Sequence, residues 1–299
     1  MKQIGKPSKK NHSLVSTILV TFVLLIGLSL LLYPTVADYI NSLDYKKDIE
    51  DYRQEVRQLD DSARREMLAA AEDFNRRLLA NATRIGELDA AQRGEYEKLL
   101  DLSGSGMMGY VEIEKVQIYL PIYHGTSESV LQAGVGHIEG SSLPVGGKGT
   151  HVILSGHTGL PSSKLFSNID QLEIGDTFEL HVWGETLTYQ VESTAVLLPE
   201  EAEKQEIDPE RDLCTLMTCT PYGVNSHRLL ITGARIQTPD TEYSGNDAKE
   251  KEIPAPVPPV LWIVGVGLAL ILITAAVFAV HKRHKEAKPH RGGSDEAKG

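Results

Sequence analysis

The chain has 299 residues, a formal net charge of −11 and two cysteines. That length allows one or two domains whose cores stand without disulfide staples. The acidic balance, with no basic stretch outside the two termini, argues against a nucleic-acid binder.

Residues 1–13 form a basic tail carrying Lys2, Lys6, Lys9 and Lys10. Residues 14–33 are an apolar run broken only by Ser16, Thr17, Thr21, Gly27 and Ser29. Such a run has about the 20 residues that a membrane-spanning helix needs. A cleaved signal peptide is the alternative, but Thr35-Val36-Ala37 is a weak cleavage site and the run is longer than a usual signal core. Residues 259–280 form a second apolar run, followed by a basic tail at 281–299 that begins His281-Lys282-Arg283-His284-Lys285. The positive-inside rule then puts both termini in the cytoplasm and everything from about Pro34 to Pro258 outside.

Residues 34–105 read as an extracytoplasmic helical segment. From Asp38 to Ala80, the residues Ile49, Tyr52, Val56, Leu59, Ala63, Met67, Ala70, Phe74 and Leu78 recur at three- and four-residue steps, one face of a helix. This reads as a stalk or packing helix without chemistry of its own. Residues 106–238 change texture to short β-rich runs separated by Gly, Pro and Ser: Tyr110–Ile113, Val116–Tyr123, His151–Leu154, Thr177–Trp183, Thr186–Val191, Leu213–Thr218 and Leu229–Ile236. Such runs predict a mainly β barrel or sandwich. Short helices are expected near Ser127–Ala133 and Ser163–Ile169. Residues 239–258 are a Pro-rich linker containing Pro254, Pro256 and Pro258.

The chemistry concentrates in Thr215-Leu216-Met217-Thr218-Cys219-Thr220-Pro221-Tyr222-Gly223-Val224-Asn225-Ser226-His227-Arg228. An apolar strand runs into Cys219 and stops, Pro221 and Gly223 force a loop, and a second strand starts at Arg228. Antiparallel pairing would set Cys219 and Arg228 side by side at one rim. Cys214 and Cys219 are five residues apart, so on one strand they face opposite sides, which disfavours a disulfide. They also lack partners at zinc-ligand spacing. What remains is a buried structural thiol or a reactive one.

A nucleophilic cysteine needs a partner to hold its thiolate. His157 lies in Leu154-Ser155-Gly156-His157-Thr158-Gly159, at a predicted strand end with glycines on either side. His227 should point away from Arg228. His124, His137, His151 and His181 read as ordinary core or surface residues. Arg228 has two readings: a permanent charge that lowers the thiol pKa or binds a carbonyl oxygen, or a surface ion pair.

Taken together, these residues resemble the sortase family. That family has a Thr-Leu-x-Thr-Cys strand end, matched here by Thr215, Leu216, Thr218 and Cys219, with an upstream His (His157) and an Arg on the next strand (Arg228). The longer block Thr218–Arg228 resembles the class C, pilin-polymerising branch. So do Gly109–Ile113, Leu120–Thr126, Gly134–His137, Glu139–Gly147 and Ser155–Pro161. A second membrane helix at the carboxyl end is also typical of that branch. The resemblance implies an eight-stranded sortase-type β-barrel with an N-terminal helical segment and two flanking transmembrane helices. It implies a two-pass protein of a Gram-positive cell membrane with its catalytic domain outside.

The resemblance also implies a reaction. Cys219 attacks the Thr–Gly bond of an LPXTG-like sorting signal on a pilin, Arg228 steadies the oxyanion, and His157 moves the protons. Thr218 shapes the substrate site. The lysine amine of a second pilin resolves the thioester, and no cofactor or metal is required. Many class C members carry a lid with an Asp and an aromatic. The nearest segments here, Leu88-Asp89-Ala90-Ala91 and Asp101-Leu102-Ser103, supply no aromatic ring, which leaves Asp89 as the possible lid residue approaching Arg228. Cys214 reads as structural. The competing readings are a housekeeping sortase that loads peptidoglycan, a hydrolytic cysteine peptidase and a non-catalytic scaffold. The carboxyl-terminal span and the Thr-Pro-Tyr-Gly loop favour the pilin type.

Overall fold

The computed structural model describes residues 10–81, 83, 85–237 and short stretches between 254 and 273. The chain divides into two units, Ala37–Pro256 and the remaining end segments.

The apolar run and the amphipathic stretch after it were expected as separate helices. They form one helix, α1 (Lys10–Gln58), which runs through Pro34. Among the described residues, α1 is the one helix long and apolar enough to cross a membrane, with a mean hydropathy of 2.3 over its most apolar window. The second expected span, 259–280, lies largely outside the described residues. The helix expected across Asp38–Ala80 breaks at Leu59-Asp60, and α2 (Asp61–Ala80) begins anew. Asp60 and Asp61 suit a helix start, where the dipole favours negative charge. The apolar period runs through the break because both helices face the same barrel. Ile49 and Tyr52 of α1 pack on Met107 and Tyr110, and Phe74 and Leu78 of α2 join the main core.

A third helix, α3 (Ala90–Tyr96), was not expected. Asp89 and Gln92 form a capping box at its start. The strands then follow: β1 (Met107–Ile113), β2 (Ile118–His124), β3 (Val135–His137), β4 (Thr150–Ser155), β5 (Thr177–Val182), β6 (Glu185–Leu197), β7 (Asp212–Thr220) and β8 (His227–Arg235). α4 (Glu128–Ala133) precedes β3, and the short α5 (Pro199–Ala202) precedes β7. The helix expected at Ser163–Ile169 is mostly turn, with a 3-10 turn only at Ile169–Gln171.

The eight strands close into a barrel in the order β1-β2-β3-β4-β7-β8-β6-β5. Its interior is filled by apolar side chains such as Val111, Ile122, Val152, Leu154, Phe178, Leu216 and Ile231. α1 is tied to this wall through Tyr52, whose hydroxyl accepts from the Trp183 amide and donates to the Met108 carbonyl, both at 2.8 Å. Two pairings decide where chemistry can occur. β4 and β7 run parallel, with Ser155 opposite Met217, so their carboxyl ends finish side by side. β7 and β8 run antiparallel, with Cys219 opposite Arg228.

Candidate active site

Cys219 is the penultimate residue of β7 and is half-buried. Its direct cross-strand partner is Arg228, the second residue of β8. His157 lies two residues past the end of β4, as Cys219 lies two residues past Met217, the last residue of β7 paired with that strand. The parallel register therefore carries both to the same rim. Three elements with unrelated sequence positions converge there only because the barrel order sets β4, β7 and β8 next to one another.

The loop bearing His157 is latched to the cysteine strand. The Thr218 hydroxyl donates to the Gly156 carbonyl at 2.7 Å, and the Gly156 amide donates to the Met217 carbonyl at 3.0 Å. Thr218 is buried, so it sits under the rim. Gly156 has no room for a side chain, since a β-carbon there would lie 2.7 Å from the buried Phe166 ring. The exposed ring of Tyr222, in the loop after Cys219, stands over Gly159, where a β-carbon would lie 3.3 Å from it.

The His157 side chain is 24% exposed, yet its Nε2 is shielded and makes no hydrogen bond among the described residues. The Glu128 carboxylate of α4 lies 3.7 Å from that nitrogen. Sequence reading missed Glu128, for the charge partner is set by the packing of α4 and leaves no local signal. Arg228 donates through Nη1 to the His227 carbonyl at 3.3 Å. No carboxylate among the described residues lies within ion-pair distance of it, so the surface ion-pair reading of Arg228 lacks a partner.

Asp89 is not brought to Arg228. Its carboxylate accepts from the Ala91 and Gln92 amides, both at 2.8 Å, as the N-cap of α3. The segment around it is part of the packed body. Leu88, Tyr96, Leu99 and Leu100 are buried in the main core, and the Trp183 indole donates to the Leu100 carbonyl at 2.9 Å. Cys214 is fully buried on the other face of β7, where burial, with the Asp212 charge adding, holds its thiol well above the usual range. His137 and His151 are buried too. His137 bonds Tyr96 and the Ser142 carbonyl, and His151 bonds Thr215 and the Glu206 carbonyl.

Among the described residues, one group has metal-ligand character: Glu112, Glu179 and His181, with ligand atoms within 4.8 Å of one another. It sits on β1 and β5, across the barrel from β7. The His181 Nε2 lies 3.4 and 3.5 Å from the two carboxylates. Burial opposes charge on this imidazole, but the two carboxylates outweigh it and raise its pKa, so the group reads as an ion cluster in which one imidazole bridges two carboxylates.

The family model described as Sortase domain matches residues 111–236. Sortase C1 of Streptococcus agalactiae has the same fold, with a TM-score of 0.63 at 42% identity, covering 64% of this chain and 100% of that one. The chain belongs to the sortase family. Sortase C of Streptococcus pneumoniae, whose structure bears on catalysis and pilin substrate specificity, aligns with a TM-score of 0.57 at 38% identity, covering 64% of this chain and 97% of that one. These likenesses place this sortase with the class C members. Sortase D of Bacillus subtilis (strain 168) is 30% identical over 131 residues, 43% of this chain. The match spans 63% of that relative, less than two thirds of its length. The family match starts within β1 and ends just past β8, so Cys219, His157 and Arg228 all lie inside it.

Proposed function

We propose that this sortase is a membrane-anchored cysteine transpeptidase that polymerises pilins. The observation that carries this reading is the cross-strand pair Cys219–Arg228 at the rim where His157 follows the end of β4. The likeness to sortase C of Streptococcus pneumoniae supports pilins as the substrate class.

In this reading the Cys219 thiolate attacks the threonine carbonyl carbon of an LPXTG-like signal. Negative charge moves to the carbonyl oxygen, where the fixed cation of Arg228 stabilises it. As the C–N bond breaks, protonated His157 gives its proton to the departing glycine amine. A thioester on Cys219 remains. The ε-amine of a lysine on a second pilin attacks that thioester and gives its proton to the now neutral His157. The C–S bond breaks, the thiolate is regenerated, and an isopeptide bond joins the two pilins.

The apolar start of α1 supports an amino-terminal anchor, and the second apolar run at 259–280 supports a two-pass arrangement with the barrel outside a Gram-positive cell membrane. The exposed Tyr222 beside the rim is suited to contact the bound signal.

The test mixes the full chain in detergent with a pilin bearing an LPXTG-like signal, with Cys219→Ala as control. A ladder of boiling-resistant multimers, absent from the control, is the expected result. Cleaved monomers alone, even with acceptor pilin in excess, would replace the polymerase reading with hydrolysis. No product, together with a Cys219 unreactive to alkylation, would overturn the catalytic assignment.

A further inference from the structure

The loop that follows His157 is held to the core by Leu165 and Phe166, which are buried, but its outer part pairs with no strand. Between β4 and β5 it forms no ladder with a named strand, only an isolated bridge between Leu160 and Ser163. It is closed on itself by two bonds. The Phe166 amide donates to the His157 carbonyl at 3.0 Å, and the Gly159 amide donates to the Ser167 hydroxyl at 3.0 Å. Thr218 pins the inner end of this closed loop, and its outer end reaches α1.

Three residues of α1 take hold there, spaced three and four apart so that they share one helix face. The Lys164 amide donates to the Asp38 carboxylate at 2.9 Å, and the Lys164 ammonium lies 3.5 Å from the same group. Asn41 donates through Nδ2 to the Ser162 carbonyl at 2.8 Å. The Tyr45 and Ser163 hydroxyls, both buried, meet at 3.0 Å. The Tyr45 hydroxyl also lies 3.4 Å from the Gln132 carbonyl at the end of α4, the helix whose Glu128 faces His157. One phenol thus stands between the two elements that flank the imidazole.

We propose that Asp38, Asn41 and Tyr45 are positioning residues for His157, so that α1 works as part of the site as well as an anchor. This rests on the acid–base role given to His157 above. Three consecutive loop residues, 162 to 164, are each held by a different α1 side chain. A helix packed for burial alone would need none of these polar contacts. Loosening them frees the loop on the carboxyl side of His157, while Cys219, on the strand ladder, stays where it is.

The experiment uses the full chain in detergent, with Asn41→Ala, Tyr45→Phe, the double variant, Asp38→Ala and Asp38→Asn. Tyr45→Phe removes one hydroxyl and keeps the packing. Asp38→Asn keeps an oxygen for the Lys164 amide. Exchange of the Phe166 amide and the ring resonances of His157 report the loop without any need for activity. Cleavage of a sorting-signal peptide supplies kcat and KM. In the double variant and in Asp38→Ala, Phe166 protection falls about tenfold and kcat falls by a similar factor at unchanged KM. Cys219 remains open to alkylation, and Asp38→Asn recovers most of the loss. Unchanged Phe166 protection and His157 resonances in the double variant, with the strands still protected, would overturn the proposal. A wild-type chain that cleaves nothing, while the variants still loosen the loop, removes the transpeptidase reading and leaves the grip of α1 on the loop supported.

Discussion

The hydroxyl of Thr218 donates a 2.7 Å hydrogen bond to the carbonyl of Gly156, joining the residue before Cys219 to the residue before His157. The bond is buried, so removing its donor leaves an unsatisfied carbonyl in a dry site. Thr218→Val should cost about 1–3 kcal/mol of stability. Displacing one reacting group by an ångström can cost about a hundredfold in rate. Peptide cleavage should therefore fall more steeply than stability, while Cys219 still alkylates. Thr218→Ser keeps the hydroxyl and should stay near wild type. Equal activity in the Val and Ser variants would show that the latch does not set the geometry.

Gly156 is constrained by its neighbour. A β-carbon would meet Phe166 ring atoms at 2.7 Å, and that ring is wholly buried. Gly156→Ala forces the loop or the ring to move, an overpacking strain of about 1–3 kcal/mol. Melting temperature and cleavage rate should both drop, and a second change, Phe166→Leu, should restore part of each. A Gly156→Ala protein that melts and cleaves like the wild type would show that the ring yields freely.

The rim was readable in the sequence because its signals are local. The apolar run Leu213–Thr218 ends at Cys219, the loop carries Pro221 and Gly223, and a second apolar run starts at Arg228; these fixed the two strands and their facing ends. β3 was not readable, since Val135–His137 is three residues long and glycine-rich around it. α3 had a signal in Asp89 and Gln92, but Gly94 in its middle weakens any helical pattern. The same capping sets Asp89, the possible lid residue by resemblance, at a helix start. Glu128 and the α1 residues that reach Ser162–Lys164 left no trace in the sequence. Partners more than a hundred residues apart, such as Asn41 and Ser162, meet only once the barrel is closed.

Arg228 has no carboxylate within ion-pair distance among the described residues, so little stability depends on its charge. Arg228→Ala should melt within about 0.5 kcal/mol of wild type, as surface changes usually do. Losing a donor aimed at a developing oxyanion costs about a hundredfold or more in kcat. Arg228→Lys should recover little, because an ammonium does not reproduce the guanidinium fork. A large loss of stability with intact cleavage would return Arg228 to a structural role.

The two thiols should separate cleanly in alkylation. Cys219 is half-buried at the rim, whereas Cys214 is fully buried with a thiol that burial keeps protonated. Since the thiolate is the reacting form, iodoacetamide should label Cys219 in the native protein and reach Cys214 only on unfolding. Peptide mapping by mass spectrometry reads both sites. Native labelling of Cys214 at a comparable rate would contradict its burial.

Stability should fall in mild acid because of His137. Burial opposes its charge more than the Ser142 carbonyl favours it, and its pKa drops from 6.5 to about 4. In the unfolded chain it takes up a proton near pH 6.5 that the folded protein refuses until about pH 4. Its contribution is therefore complete above the unfolded value and is lost as pH falls through this window, by about 3 kcal/mol at the lower end. His151 is lowered by burial as well and acts in the same direction. His181 acts oppositely. Its pKa is raised by Glu112 and Glu179 against burial, so its contribution is present at low pH and is lost as pH rises through its folded value. Melting temperatures of wild type and His137→Gln between pH 7 and 5 test the assignment. The variant melts lower throughout, but its pH slope should be shallower, because one of the two depressed histidines is gone. Parallel slopes would mean that His137 takes up its proton in the folded state as readily as in the unfolded one.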